Sequence, residues 1–101
     1  MTLIFDTETT GIIQKRLPAH DPSQPHIVSI AAVLLNGGLR EYSCMDVIIK
    51  PDGWTIPEDA VKVHGITDEI ANQYGVPIGP VLTLFNHLCF KADVLVAYNA
   101  A

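Results

Sequence analysis

The sequence predicts a single α/β domain whose mixed sheet runs in strand-strand-strand-helix-strand order. Three observations carry that prediction. Two apolar stretches, 27–35 and 41–50, flank Asn36-Gly37-Gly38, a strong hairpin signal. From Pro80 onward, Val81, Leu84, Phe85 and Leu88 recur at helical spacing. The apolar run Val94-Leu95-Val96-Ala97-Tyr98 follows at once, and a strand reached through a helical crossover runs parallel to its neighbour.

Residues 3–8 open the chain as a short strand that Thr9-Thr10-Gly11 breaks. Between Gln14 and Pro25, three prolines among polar residues predict a surface loop with freedom to move. Ile27 to Leu35 is nearly all apolar and rich in Ile, Val and Ala, which predicts a central strand buried on both faces. Its hairpin partner, Glu41 to Lys50, stops at Pro51, so the first three strands form an antiparallel meander. Pro57 suits the first position of a short helix over Glu58 to His64 that Gly65 ends. Thr67 is placed to cap a second helix, Asp68 to Gln73, closed by Gly75, and its acidic first turn suits the helix dipole. The long helix from Pro80 packs on the sheet, the last strand is expected to be buried, and Asn99 has the chemistry of a further helix cap.

At 101 residues the chain holds one domain. Hydrophobic residues make up 49% of it, rich for a small soluble domain, so part of that surface is expected to meet a partner. No stretch approaches the ~20 apolar residues of a membrane-spanning helix, and the start of the chain has no basic segment of the kind that opens a signal peptide. A soluble, cytoplasmic protein is expected. Cys44 and Cys89 lack CxxC spacing and sit in apolar segments, which fits buried thiols in a reducing compartment. The formal charge of -5 argues against gripping nucleic acid through a broad basic surface. Lys15 and Arg16 read as solvated cations, His20, His26 and His87 as surface residues, Trp54 and Tyr42 as packing residues, and Tyr74 as a loop residue.

Asp6 and Glu8 are the candidate chemistry. Two apart on a strand, they point to the same face beside Ile4, where their charges repel unless a cation sits between them. Hard divalent ions such as Mg²⁺ and Mn²⁺ favour such carboxylate oxygens. Alone, an Asp-x-Glu pair is more often a solvated strand end.

The surrounding residues change that balance. FDTETTG at 5–11, PHIVSIAAVLLNG at 25–37, IIKPDGWTIPEDAVKVHGITDE at 48–69 and VLVAYNAA at 94–101 together resemble, in order and spacing, the DEDDh family of 3′-to-5′ exonucleases. The resemblance spans essentially the whole chain. It implies a ribonuclease H-like mixed sheet, truncated, with residues 1–101 forming the N-terminal part of one exonuclease domain.

By the same resemblance, Asp6 and Glu8 are catalytic ligands of two divalent cations, Mg²⁺ or Mn²⁺, and the reaction releases nucleoside monophosphates from the 3′ end of single-stranded DNA or RNA by the two-metal scheme. The resemblance further implies that Thr9 and Thr10 lie near the terminal nucleotide, that the His64 ring packs on its base or sugar, and that a DNA polymerase is a partner. The residue chemistry leaves His64 a second role, as a helix-end ring interacting with terminal carbonyls. Tyr98 stands where many relatives carry His. The family's second motif places an Asp just past a run like Tyr98-Asn99-Ala100-Ala101, and its third motif is His-x4-Asp; neither falls within these residues. With two of the family's four carboxylates, this chain alone is expected to bind metal weakly and to be inactive. The competing expectation is a non-catalytic module of the same fold that binds a protein or a nucleic-acid end.

Overall fold

The computed structural model describes residues 1–98, and the predicted Asn99 cap lies outside them. Four strands, β1 (Thr2–Thr9), β2 (Ile27–Leu35), β3 (Glu41–Ile48) and β4 (Val94–Ala97), form one sheet in the order β3-β2-β1-β4. The first three run antiparallel, and β4 pairs parallel with β1, as the sequence predicts. Helices α1 (Glu58–His64), α2 (Asp68–Tyr74) and α3 (Ile78–Lys91) lie between β3 and β4.

Alternation along the strands decides where the core sits. Leu3, Ile30, Ala32, Leu34, Met45 and Ile49 bury together against Val81 and Leu88 of α3. The pairs Leu3↔Leu34 and Phe5↔Ala32 put these side chains on one face. Full burial of a residue such as Leu3 or Leu34 contributes about 2–3 kcal/mol. A second cluster, Val28, Ile56, Ala60 and Ala71, seats α1 and α2 at the far end of β2.

Central β2 is buried on one face only. Val28, Ile30, Ala32 and Leu34 are buried, while Ile27, Ser29, Ala31, Val33 and Leu35 keep partial exposure, because the helices cover a single side of the sheet. The predicted burial of β4 also fails: Val94, Leu95 and Val96 are exposed on this edge strand, which has a strand neighbour on one side only among the described residues. Cys44 is exposed as well, pointing away from the face that holds Met45, whereas Cys89 packs against the core. Tyr42 is exposed rather than packed, with the Arg40 guanidinium 5.3 Å from its ring centroid.

Local chemistry sets the ends of the helices. Pro57 occupies the cap position of α1 rather than its first turn, and Gly65 terminates the helix at φ 76° with its amide on the Val61 carbonyl. The Thr67 hydroxyl accepts from the Ile70 amide at 3.2 Å, the expected cap of α2, which runs on through Tyr74 instead of leaving it in a loop. α3 begins at Ile78, ahead of the expected Pro80, because the first-turn amides of a helix have no intrahelical acceptor and a proline there loses nothing. Leu84, expected on the buried stripe, is exposed on the flank of α3. β3 ends at Ile48, and Ile49 continues as a parallel bridge to Val76 that ties the entrance of α3 to the sheet.

The loop between β1 and β2 is internally bonded. The Gln24 amide nitrogen donates to the carbonyls of Gln14 at 2.7 Å and Leu17 at 3.1 Å, while its oxygen accepts from the Gln14 amide at 2.8 Å. The Asp21 carboxylate accepts from the Ser23 hydroxyl and amide, which holds its pKa below the usual carboxylate value.

Candidate active site

Asp6 and Glu8 stand on the sheet face opposite α3, paired across to Ala31 and Ser29 of β2. Strand alternation aligns them with Ile4, as their spacing requires. Both side chains are half-buried, and Asp6 Oδ1 is a buried acceptor with no hydrogen-bond partner among the described residues. A buried carboxylate oxygen left unpaired is costly unless a cation completes it. Two carboxylates offering hard oxygen donors fit a divalent ion such as Mg²⁺ or Mn²⁺. Among the described residues no group of three or more His, Cys, Asp and Glu side chains gathers to hold a metal. The pair offers two carboxylates on one face, fewer than the three ligands of a closed metal group.

The adjoining backbone focuses the site. Pairing shifts register between Glu8 and Thr9, so that Glu8 faces Ser29 while Thr9 faces Ile27. The extra residue is Val28 on β2, so the irregularity lies in the strand opposite Glu8 and Thr9. The Thr9 hydroxyl donates to the Gly11 carbonyl at 2.7 Å. The Thr10 hydroxyl oxygen accepts from the His26 amide at 2.9 Å, and the Thr10 amide donates to the His26 carbonyl at 3.0 Å. On the other side of β1, Ala97 pairs with Phe5, and the Tyr98 amide donates to the Phe5 carbonyl at 2.9 Å. β4 thus ends opposite Phe5, while β1 runs on to Thr9, and the chain leaves β4 beside Asp6. Carboxyl ends of neighbouring parallel strands are where open α/β sheets place their ligands.

His64 ends α1. Its Nδ1 accepts from the Ile66 amide at 3.0 Å, which places the ring proton of the neutral imidazole on Nε2. Nε2 is buried and has no partner. The ring therefore serves a turn amide rather than the terminal helix carbonyls and keeps a donor in reserve. Asp6 Oδ1 and His64 Nε2 are the buried side-chain polar atoms without partners among the described residues, and both belong to residues that the sequence singles out.

Residues 3–101 match the profile of the RNase_T exonuclease family. The chain belongs to that family. The epsilon subunit of DNA polymerase III from Buchnera aphidicola subsp. Acyrthosiphon pisum is 34% identical over 100 residues, covering 99% of this chain and 40% of that protein. Its Haemophilus influenzae counterpart is 44% identical over 68 residues, 67% of this chain and 25% of that protein. The exonuclease-family chain thus spans less than half the length of these relatives. Among solved structures, E. coli exonuclease I in complex with a dT13 oligonucleotide shares the fold at a TM-score of 0.75 and 21% identity, over 97% of this chain and 20% of that one. Exonuclease X in complex with 5′ overhanging duplex DNA has a TM-score of 0.69 and 27% identity, over 99% of this chain and 49% of that one.

The structure also corrects the reading of His26. It is a half-buried residue stacked on Trp54, with ring centroids 4.8 Å apart and planes 2° apart, rather than a surface histidine. Sequence reasoning had little to find it by, because its partner lies in the turn after β3. Lys15 and Arg16 are exposed on the bonded loop, as expected, and His20 and His87 are exposed on the surface.

Proposed function

We propose that this chain forms the carboxylate-bearing half of the active site of a metal-dependent 3′-to-5′ exonuclease that removes nucleoside monophosphates from single-stranded DNA. The observation that carries the reading is the buried Asp6 Oδ1, unpaired among the described residues, on the same face of β1 as Glu8. DNA is preferred to RNA because relatives of the chain include a DNA polymerase III subunit and exonucleases in complex with DNA. The same relationship proposes a replicative DNA polymerase as partner and the cytoplasm as location. No described helix is long and apolar enough to cross a membrane.

In this reading Asp6 and Glu8 hold divalent cations, Mg²⁺ or Mn²⁺, whose charge polarises the scissile phosphate and activates water. The chain's own residues do the rest of the binding. The segment Thr9-Thr10, beside the register shift, meets the terminal nucleotide, and the His64 ring packs on its sugar or base with Nε2–H at its edge to donate. A donor already stripped of water loses little on meeting an acceptor, so this contact favours an ordered 3′ nucleotide.

The test uses the longer polypeptide that carries these residues, with 3′-labelled single-stranded DNA and Mg²⁺ or Mn²⁺. Release of labelled mononucleotide that Asp6→Ala and Glu8→Ala each abolish is the expected result; activity surviving Asp6→Ala overturns the proposal. The 101-residue chain alone is expected to bind mononucleotide weakly and to turn over none.

A second reading rests on one observation, the absence of any three-ligand metal cluster among the described residues. It makes the chain a binding module of exonuclease fold. Retention of partner or DNA-end affinity in the Asp6→Ala, Glu8→Ala double variant, with no activity in the unsubstituted protein, selects it.

A further inference from the structure

Thr10 is the first residue past β1, and His26 is the last before β2. They form a closed pair beyond the bulge: the Thr10 amide donates to the His26 carbonyl at 3.0 Å, and the His26 amide donates to the Thr10 hydroxyl oxygen at 2.9 Å. Backbone pairs at the frayed end of a ladder open readily unless something outside the ladder fixes one of the strands. Here that fixture is the His26 side chain. Its ring lies parallel to the Trp54 indole at 4.8 Å, and the indole packs against both hydrophobic clusters of the domain.

We infer that the stack of His26 on Trp54 is a positioning device for the Thr9-Thr10 segment, holding the nucleotide-facing turn in place beside Asp6 and Glu8. His26 touches no substrate in this arrangement; it acts through Thr10. The stack forms one wall of a groove of about 530 Å³ shared with Lys50, Asp52 and Pro77. Truncating the imidazole therefore opens space continuous with that groove. Trp54 links the core to the turn beside Ile27, which packs on the same cluster. What Thr9 and Thr10 meet rests on the exonuclease reading, whereas the mechanical coupling does not.

Two measurements on the 101-residue chain separate these parts. Amide hydrogen exchange, followed residue by residue by NMR, reads the coupling. In His26→Ala the Thr10 amide should exchange about tenfold faster, while His26→Phe, which keeps a flat ring on Trp54, should leave it near the starting rate. The Leu3 and Ile30 amides, deep in the sheet, should be unmoved in both, which separates a loosened turn from a loosened fold. An unchanged Thr10 rate in His26→Ala overturns the inference.

Titration with thymidine 5′-monophosphate in the presence of Mn²⁺ reads the consequence. His26→Ala should weaken binding severalfold and His26→Phe restore it. Thr10→Val should weaken binding similarly, and its combination with His26→Ala should add little, because both remove one linkage. Faster exchange at Thr10 with full nucleotide affinity overturns the positioning role. Absence of nucleotide binding by the unsubstituted chain counts against the exonuclease reading, and the exchange rates still decide whether the stack anchors the turn.

Discussion

The Phe5 and Phe85 rings meet edge to face, with centroids 5.2 Å apart and planes at 72°. Phe5 precedes Asp6 on β1 and points to the opposite face, so this contact seats α3 directly behind the strand that presents the carboxylates. Edge-to-face pairs add to the area they bury, because the positive ring edge meets the negative ring face.

Phe85→Ala should therefore destabilise the domain by about 3 kcal/mol, the low end for such truncations since both rings keep some exposure. Phe85→Leu should cost less than half of that. Denaturant melts give the values, and a cost below about 1 kcal/mol for Phe85→Ala removes the pair from the account of what supports β1.

Divalent ions should raise the stability of the chain through Asp6. A ligand that binds only the folded state adds RT ln(1 + [L]/Kd), about 1.4 kcal/mol at ten times Kd. Thermal melts in increasing Mn²⁺ should show that rise in the unsubstituted chain and none in Asp6→Asn. An equal rise in both would locate the ion elsewhere.

Acid should loosen the junction of β1 and β4. The Met1 ammonium donates to Asp93 at 2.7 Å, and that hydrogen bond, with the attraction of opposite charges, lowers the Asp93 pKa below its ordinary 3.8. A carboxyl with a depressed folded-state pKa binds protons more readily when unfolded, so its stabilisation is present above about pH 4 and disappears as pH falls through the folded pKa. Asp93→Asn should be less stable than the unsubstituted chain near neutral pH and equal to it in strong acid. Both groups face solvent, so added salt should shrink the gap.

The hairpin between β2 and β3 carries strain that one substitution should relieve. The sequence offers Gly37 and Gly38 for the turn, yet the left-handed residue is Leu39, at φ 61°. Asn36 explains the choice: its side-chain oxygen accepts from the Gly38 amide at 2.9 Å and the Arg40 amide at 3.0 Å, which places Leu39 at the bend. A left-handed Leu costs roughly 1–2 kcal/mol, and its side chain here is exposed and packs on nothing that would repay it. Leu39→Gly should raise Tm by several degrees even after the entropy cost of glycine, and Leu39→Val should lower it.

Much of this fold is legible in the sequence because local chemistry and tertiary packing agree. The hairpin signal, the Thr67 cap, Gly65 and the apolar run of β2 each announce an element that forms, although β2 is covered on one face and Leu39 takes the left-handed bend. Asp6 and Glu8 were legible for the same reason, since a period of two leaves no choice about their shared face. Composition misleads where the number of covered faces decides. An apolar run such as β2 or β4 reads alike whether helices lie on one side of the sheet or two, so the exposure of Val94 and Cys44 had no local signal. The His26–Trp54 stack and the free Nε2 of His64 depend on long-range placement, and the free Nε2 depends further on which ring nitrogen the turn at Ile66 engages.

Gly75 is the glycine that packing demands. Its φ is an ordinary -71°, so backbone freedom does not explain it. A Cβ built there would lie 2.6 Å from the Lys50 amide nitrogen, 2.7 Å from Lys50 Cα, and closer still to the Ala71 carbonyl oxygen. All three are backbone atoms. Moving them would break the Gly75–Ala71 cap and the Lys50–Val76 hydrogen bond that holds the entrance of α3 against β3. Gly75→Ala should accordingly cost more than about 2 kcal/mol, as overpacking against a fixed backbone does. Gly79 is the internal control: nothing lies within 4 Å of its Cβ position, and it sits in the first turn of α3. Gly79→Ala should be neutral or stabilise by about 0.5 kcal/mol through helix propensity and reduced freedom of the unfolded chain. Urea melts of the two variants should diverge in opposite directions, and similar midpoints would show that the close approach of α2 to Lys50 relaxes at little cost.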